Sequence, residues 1–202
     1  MKISIVIPAK NEANIIKNTL NAVHDYMVSN FAVYEMIVVD DNSIDNTLLI
    51  AKESYPVRVI KGNGRGKGSA VREGILSATG DYIFFTDADL AYSLSMIKGG
   101  VRLLQDGADM VAGNRRLGSD KSYGLMRKIA SRSFEAATQL ILGMDLTDTQ
   151  CGFKGFSKLC AKELFNRSVI DGFCFDAEVF FIAQQLGFRI ELIPAIMSRH
   201  EK

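Results

Sequence analysis

Hydrophobic positions along the chain follow two rhythms that alternate. Ile3 to Ile7 is a short apolar run ended by Pro8, the pattern of a buried strand, and Asn11 to Val28 then carries Ile15, Ile16, Leu20, Val23 and Met27 at helical spacing. Met36 to Val39 predicts a second strand, closed by Asp40-Asp41-Asn42-Ser43, after which Ser43 or Asp45 is placed to cap a helix running towards Ser54. Val57 to Ile60 predicts a third strand, Gly62 to Gly68 a loop, Ser69 to Ala78 a helix, and Tyr82 to Thr86 a fourth strand ending at Asp87-Ala88-Asp89. Leu94 to Leu104 and Met110 to Ala112 add a helix and a strand. The second half is less regular: a basic helical stretch from about Ser122 to Leu142, a turn-rich Asp145 to Gly155, helices near Leu159 to Phe165 and Asp176 to Leu186, and a strand at Arg189 to Ile193.

Strands and helices alternating from the first residue, with short connections, predict an α/β fold whose mostly parallel central sheet is flanked by helices on both faces. Ligands in such folds gather at the carboxyl ends of the strands. That rule brings Pro8 to Glu12, Asp40-Asp41, the glycine-rich loop and Asp87-Ala88-Asp89 to one edge. No internal repeat, low-complexity tract or linker divides the chain, so both halves are expected to share one body.

Composition narrows the function. With 48% hydrophobic and 23% charged residues the 202-residue chain is ordinary globular material, and a net charge of +1 gives nothing global to attract nucleic acid. Three cysteines, Cys151, Cys160 and Cys174, form no C-x-x-C pair, and only His24 and His200 are present to join them, so neither zinc nor a disulfide framework is indicated and a reducing, cytoplasmic setting fits. No apolar run approaches the roughly 18 to 20 residues needed to span a bilayer, so the expectation is a chain that is not integral to a membrane. The charge is unevenly spread, however. Residues 115 to 132 hold six cations and one anion, with Leu125, Met126 and Ile129 interleaved, which suits either a solvated amphipathic helix or one lying at an anionic membrane surface.

Two carboxylates two residues apart at a strand end, Asp87 and Asp89, are hard oxygen ligands suited to Mg²⁺ or Mn²⁺ bridging a diphosphate, although an isolated pair equally describes a turn whose second Asp caps a helix. Asp41 ends another strand on the same edge, where a carboxylate can accept hydrogen bonds from ribose hydroxyls or a base N–H. The loop Gly62-Asn63-Gly64-Arg65-Gly66-Lys67-Gly68 offers backbone N–H groups and two cations to a phosphate, yet it has neither Walker A nor G-x-G-x-x-G spacing. Kinase-like and Rossmann dinucleotide sites are thereby disfavoured.

Together these segments resemble the family 2 inverting glycosyltransferases of GT-A fold: Ile5-Val-Ile-Pro-Ala-Lys-Asn-Glu12, Val38-Val-Asp-Asp-Asn-Ser43, Gly66-Lys-Gly-Ser-Ala70 and Asp87-Ala-Asp-Leu90. Gly113-Asn-Arg115, Met126-Arg-Lys128, Asp148-Thr-Gln-Cys-Gly-Phe-Lys154 and Phe175-Asp-Ala-Glu178 are similar to the branch that loads sugars onto polyprenyl phosphates, above all the dolichyl-phosphate β-glucosyltransferases. The resemblance implies one glycosyltransferase domain, with residues 1–114 binding a nucleotide sugar, UDP-glucose as the best candidate, and residues 115–202 the polyprenyl phosphate acceptor. It implies that Pro8, Ala9, Glu12 and Asp41 hold base and ribose, that Lys67 lies by the nucleotide, and that Asp87, Ala88 and Asp89 form the metal-diphosphate motif. Arg115 and Arg127 match basic positions near donor and acceptor phosphates, and Asp176 or Glu178 is placed to orient acceptor or sugar. Some relatives carry Gln two positions after the second Asp as a further metal contact; here that position is Ala91.

The chemistry agrees. A polyprenyl phosphate is largely ionised at neutral pH, its second pKa being about 6, so the nucleophile needs no strong base, and arginines that fix its oxygens matter more. The transmembrane anchoring of the dolichyl-phosphate enzymes is not evident here, which points to peripheral contact at the cytoplasmic face or to a membrane-protein partner. Rival readings are a sugar-1-phosphate nucleotidyltransferase, whose basic glycine-rich loop follows the first strand rather than the third, a family member using GDP-mannose or a saccharide acceptor, and a non-catalytic nucleotide-sugar-binding subunit.

Overall fold

The computed structural model describes residues 1–117 and 151–198. Its elements, in chain order, are β1 (Ile3–Ala9), α1 (Ile16–Asn30), β2 (Tyr34–Asp40), α2 (Thr47–Glu53), β3 (Val57–Lys61), α3 (Lys67–Ser77), β4 (Tyr82–Thr86), α4 (Ser95–Gln105), β5 (Met110–Asn114), β6 (Phe153–Ser157), α5 (Lys158–Arg167), α6 (Phe175–Gln185) and β7 (Ile190–Pro194). The strands form one seven-stranded sheet in the order β3-β2-β1-β4-β6-β5-β7. All neighbours run parallel except β6, which is antiparallel to both β4 and β5.

The sheet is apolar on both faces because successive side chains of each strand point to opposite sides. Ile3, Ile5, Ile7, Val38 and Phe84 pack with Leu20 and Val23 of α1 and Ile97 and Val101 of α4. Val6, Ile37, Val39, Ile83 and Phe85 face the other way, against Val71 and Ile75 of α3, Leu164 and Phe165 of α5 and Phe180 of α6. Two covered faces explain why the strands read as unbroken apolar runs rather than alternating ones.

At the amino ends of β1, β2 and β4 the sheet is closed by one carboxylate. Glu35 accepts the Ser4 hydroxyl at 2.5 Å, the Thr79 N–H at 2.7 Å and the Thr79 hydroxyl at 3.0 Å, and pairs with Lys2 at 3.2 Å. Burial pushes its pKa up, but these donors outweigh that effect and hold it at about 2, from an ordinary 4.5.

Three sequence expectations change. The turn-rich segment at Asp145 to Gly155 ends inside β6: Phe153 pairs with Thr86 and Phe156 with Ile83. Its Lys and two glycines hide a strand that is paired on both edges. Helix α1 starts at Ile16 rather than Asn11, because Asn11 joins the Ser43–Ile44 loop, its N–H donating to the Ser43 hydroxyl and its side-chain carbonyl accepting the Ile44 N–H. Helix α2 starts at Thr47, and neither Ser43 nor Asp45 is its terminal cap; the Asp45 carboxylate instead accepts the Thr47 N–H and hydroxyl just ahead of the first turn. The basic stretch at Ser122 to Leu142 lies outside the described residues.

Candidate functional site

The carboxyl ends of β1, β2 and β4 and the amino end of α3 enclose a cavity of about 460 Å³. It is lined by Pro8, Ala9, Lys10, Glu12, Asp41, Gly66, Lys67, Ala70, Asp87, Ala88, Asp89 and Phe173. Pro8, Ala9, Glu12, Asp41, Lys67, Asp87, Ala88 and Asp89, far apart in sequence, are therefore brought together. Parallel pairing does this: Ala9 stands opposite Asp40, and the β1–β4 register puts Val6 opposite Phe85, so the three strands end at one level.

Asp41 is almost fully buried at the cavity wall, where it pairs with Lys10 at 3.3 Å and accepts the Gly66 N–H at 3.4 Å. Lys67 is the first residue of α3 rather than part of the loop, and its Nζ lies 2.5 Å from Asp87 Oδ1. Gly68 behind it is required by crowding, since a Cβ there would fall 2.5 Å from the Ile170 carbonyl and 2.7 Å from Phe175. Asp89 accepts the Ala91 N–H at 3.0 Å, so it shapes the turn before α4 while facing the cavity. Glu12 feels the crowding of carboxylates: burial first, then the charges of Asp89, Asp45 and Asp87, push its pKa up.

This arrangement fits a divalent cation. Two hard oxygen ligands open to solvent, in a negative field that raises the pKa of a neighbouring carboxyl, suit Mg²⁺ or Mn²⁺ shared with phosphate oxygens, and the Lys67 ammonium already places a positive charge on Asp87. Among the described residues no group of three or more His, Cys, Asp or Glu is placed to hold a metal ion.

Other candidate residues lie elsewhere. Arg115, half-buried, follows the last residue of β5 and is not among the cavity-lining residues, and Arg127 lies outside the described residues. Asp176 is in the first turn of α6 but is buried, 5% exposed, and its Oδ1 is 2.5 Å from Lys154 Nζ. Burial pushes its carboxyl pKa up against the opposing pull of Lys154 and Lys67. Glu178 turns to the preceding loop, its two oxygens accepting the Val169 N–H at 2.9 Å and the Ile170 N–H at 3.0 Å. Neither acid lines the cavity. Cys151 is fully buried, in keeping with a small core residue, and His24 accepts or donates a 2.8 Å bond with the Tyr34 hydroxyl rather than sitting free on the helix surface.

Three residues were missed by sequence reasoning. Phe173 carries no motif signal, and Lys10, although inside the Ile5 to Glu12 motif, was given no role there. Lys154 closes the Asp148 to Lys154 segment, yet nothing in the pattern marks a lysine for the core. Its side chain is fully buried, donating to Asp176 and, at 2.8 Å, to the Cys151 carbonyl, between the rings of Phe85 at 5.3 Å and Phe180 at 5.6 Å.

A doubly covered, mostly parallel sheet with a carboxylate pair at the end of its fourth strand matches the GT-A glycosyltransferase fold. The family model of glycosyl transferase family 2 matches residues 4–165, and the chain belongs to that family. It is similar to the dolichyl-phosphate β-glucosyltransferase of Saccharomyces cerevisiae, at 30% identity over 98% of this chain and 67% of that one, and to that of Drosophila melanogaster, at 31% over 92% and 64%. Glycosyltransferase AglD of Haloferax volcanii is 30% identical over 96% of this chain but only 32% of its own length. The chain thus spans about a third of the archaeal relative and about two thirds of the eukaryotic ones. Among solved structures, the glucosyl-3-phosphoglycerate synthase of Mycobacterium tuberculosis, crystallised with Mn²⁺, UDP and glucosyl-3-phosphoglycerate, superposes with a TM-score of 0.73 at 22% identity, covering 100% of this chain and 72% of that one. That likeness concerns the fold. No helix among the described residues is long and apolar enough to cross a membrane.

Proposed function

We propose that this chain is a metal-dependent inverting glycosyltransferase that moves glucose from UDP-glucose to a polyprenyl phosphate, working peripherally at the cytoplasmic face of a membrane. The observation that carries the reading is the convergence of Asp41, Lys67, Asp87 and Asp89 on one cavity at the carboxyl edge of the sheet. The names of the yeast and fly relatives support glucose and dolichyl phosphate, and UDP with Mn²⁺ in the mycobacterial synthase supports the donor and the cation.

In this reading residues 1–114 bind the donor and 115–202 the acceptor. Pro8, Ala9, Glu12 and Asp41 take the base and ribose, the two carboxylates as acceptors for N–H or hydroxyl groups. Asp87 and Asp89 hold Mg²⁺ or Mn²⁺, which when bound supplies positive charge to the departing diphosphate. Lys67 steadies the same phosphates. Arg115 and Arg127 hold the acceptor phosphate through paired N–H donors, directing an ionised oxygen at the anomeric carbon opposite UDP, so that one C–O bond forms as the other breaks and the configuration inverts. No side chain has to remove a proton from that nucleophile.

The test is a transfer assay read by mass spectrometry, with a short polyprenyl phosphate in detergent and UDP-glucose, UDP-N-acetylglucosamine and GDP-mannose in competition. Hexosyl polyprenyl phosphate formed at the expense of UDP-glucose is the expected product; bound or slowly hydrolysed UDP-sugar without lipid product would move the acceptor to a saccharide or require a membrane partner. In the same assay Arg127→Ala should weaken use of the acceptor more than binding of UDP. Equal losses would assign Arg127 to the donor.

A further inference from the structure

The Lys154–Asp176 pair is not explained by stability. Removing two charges from water is costly, and replacing a buried ion pair by apolar side chains of similar size is often neutral or stabilising. Here a fully buried lysine and an aspartate 5% exposed lie among aromatic rings, Lys154 between Phe85 and Phe180 and Asp176 next to Phe175 in the chain.

Their position suggests what they serve. Lys154 Nζ donates both to Asp176, on the first turn of α6, and to the carbonyl of Cys151, three residues back along the chain and just ahead of β6. That second bond closes the turn containing Gly152. The backbone of Gly152 in turn lies against the Asp87 carboxylate: a Cβ at position 152 would fall 2.2 Å from Asp87 Oδ2 and 3.6 Å from the Tyr92 ring. Phe153, next along, is registered with Thr86, the residue just before Asp87. One oxygen of Asp87 therefore backs onto Gly152 while the other meets Lys67. The charges of Lys67 and Asp87 act in opposite senses on Asp176, the first pulling its carboxyl pKa down and the second pushing it up.

We propose that Lys154 and Asp176 are positioning residues, which fix the direction of the Asp87 carboxylate through the Gly152 backbone and never touch the substrate. The proposal rests on the reading of Asp87 as a ligand of a metal-bound diphosphate. It gives Asp176 a task other than orienting acceptor or sugar. It also gives the Cys151-Gly152-Phe153-Lys154 segment a reason for its composition: Gly to admit the carboxylate, Lys to lock the turn that presents it.

The test is calorimetric titration of UDP, alone and with Mn²⁺, into the wild-type chain and the variant Lys154→Met/Asp176→Leu, with urea unfolding of both. The double variant removes both charges at once and keeps the volume, so it should unfold at the wild-type urea concentration or above. Its affinity for UDP with Mn²⁺ should fall roughly tenfold to a hundredfold, the usual cost of losing a group that orients a metal ligand. UDP without metal should bind as to the wild type, since Pro8, Ala9 and Asp41 are untouched. A merely structural pair would leave the metal-dependent part of binding unchanged in a folded double variant, and that result overturns the inference. Should the double variant not fold, Lys154→Met/Asp176→Asn, which also removes both charges together and keeps the shape of residue 176, is held to the same criterion. A wild-type chain that binds no UDP with either Mn²⁺ or Mg²⁺ would instead bring down the reading of the cavity, and this inference with it.

Discussion

Two lysine–aspartate pairs stand on either side of the cavity wall at the same 2.5 Å separation: Lys67–Asp87 at the mouth and Lys154–Asp176 behind it. The side chains of the first are 20% and 28% exposed, those of the second 0% and 7%. Equal distances therefore describe unequal interactions. At the mouth, water shields both partners and either can be exchanged for a ligand at small cost, which suits groups that must let go of each other when a diphosphate arrives. Behind the wall each charge depends on the other, and the pair behaves as one fixed object.

The comparison breaks most visibly by removing one member of the buried pair. Lys154→Met alone leaves Asp176 without its cation and should cost about 3–5 kcal/mol in urea unfolding; a loss no greater than that of Lys67→Met would show that the two pairs do not differ. Next in size is a chemical rather than a structural effect. Asp89→Ala should lower transfer at least about 10²- to 10³-fold, the scale of losing one electrostatic partner of a reacting centre, with the unfolding curve nearly unmoved because the Asp89 side chain is exposed at the end of its strand and contributes little packing. Lys67→Met sharpens the contrast from the exposed side: about 0–1 kcal/mol of stability is at stake, while UDP binding should weaken measurably. A separate effect is set by pH at the opposite end of the strands. Glu35 is held at about 2 in the fold against an ordinary 4.5, so its stabilisation is complete above the ordinary value and is lost as pH falls from about 4.5 towards 2. Glu35→Gln should flatten that part of an acid-unfolding profile, and an unchanged slope would remove Glu35 from the account.

What could be read in advance followed from regular alternation. Pro8, Asp41 and Asp89 were assigned to one edge because parallel strands of similar length must end together, and this needs no knowledge of side-chain packing. The segment around Lys154 resisted for the opposite reason. Its strand character comes from neighbours on both edges, β4 and β5, which lie about 70 and 40 positions earlier in the chain. Local composition, with Gly152, Lys154 and Gly155 interrupting the apolar residues, argues for a turn, and tertiary pairing overrides it. Phe173 was hidden likewise: it lines the cavity only because the loop before α6 is clamped by Glu178 and by Arg72, which pairs with Asp171. Arg127 and the basic stretch around it lie outside the described residues.

The place of β6 between β4 and β5 has a consequence for synthesis. As the chain leaves the ribosome, β4 and β5 emerge well before residues 153–157, and until those arrive β4 has β1 on one edge only and β5 has no neighbour at all in the finished order. The nascent protein must therefore wait with Ile83, Phe84 and Phe85 beside a bare strand edge, the kind of template that recruits other chains. Interrupted translation in this interval would yield a fragment carrying most of the cavity residues yet prone to aggregate, and a holding chaperone would find its substrate there.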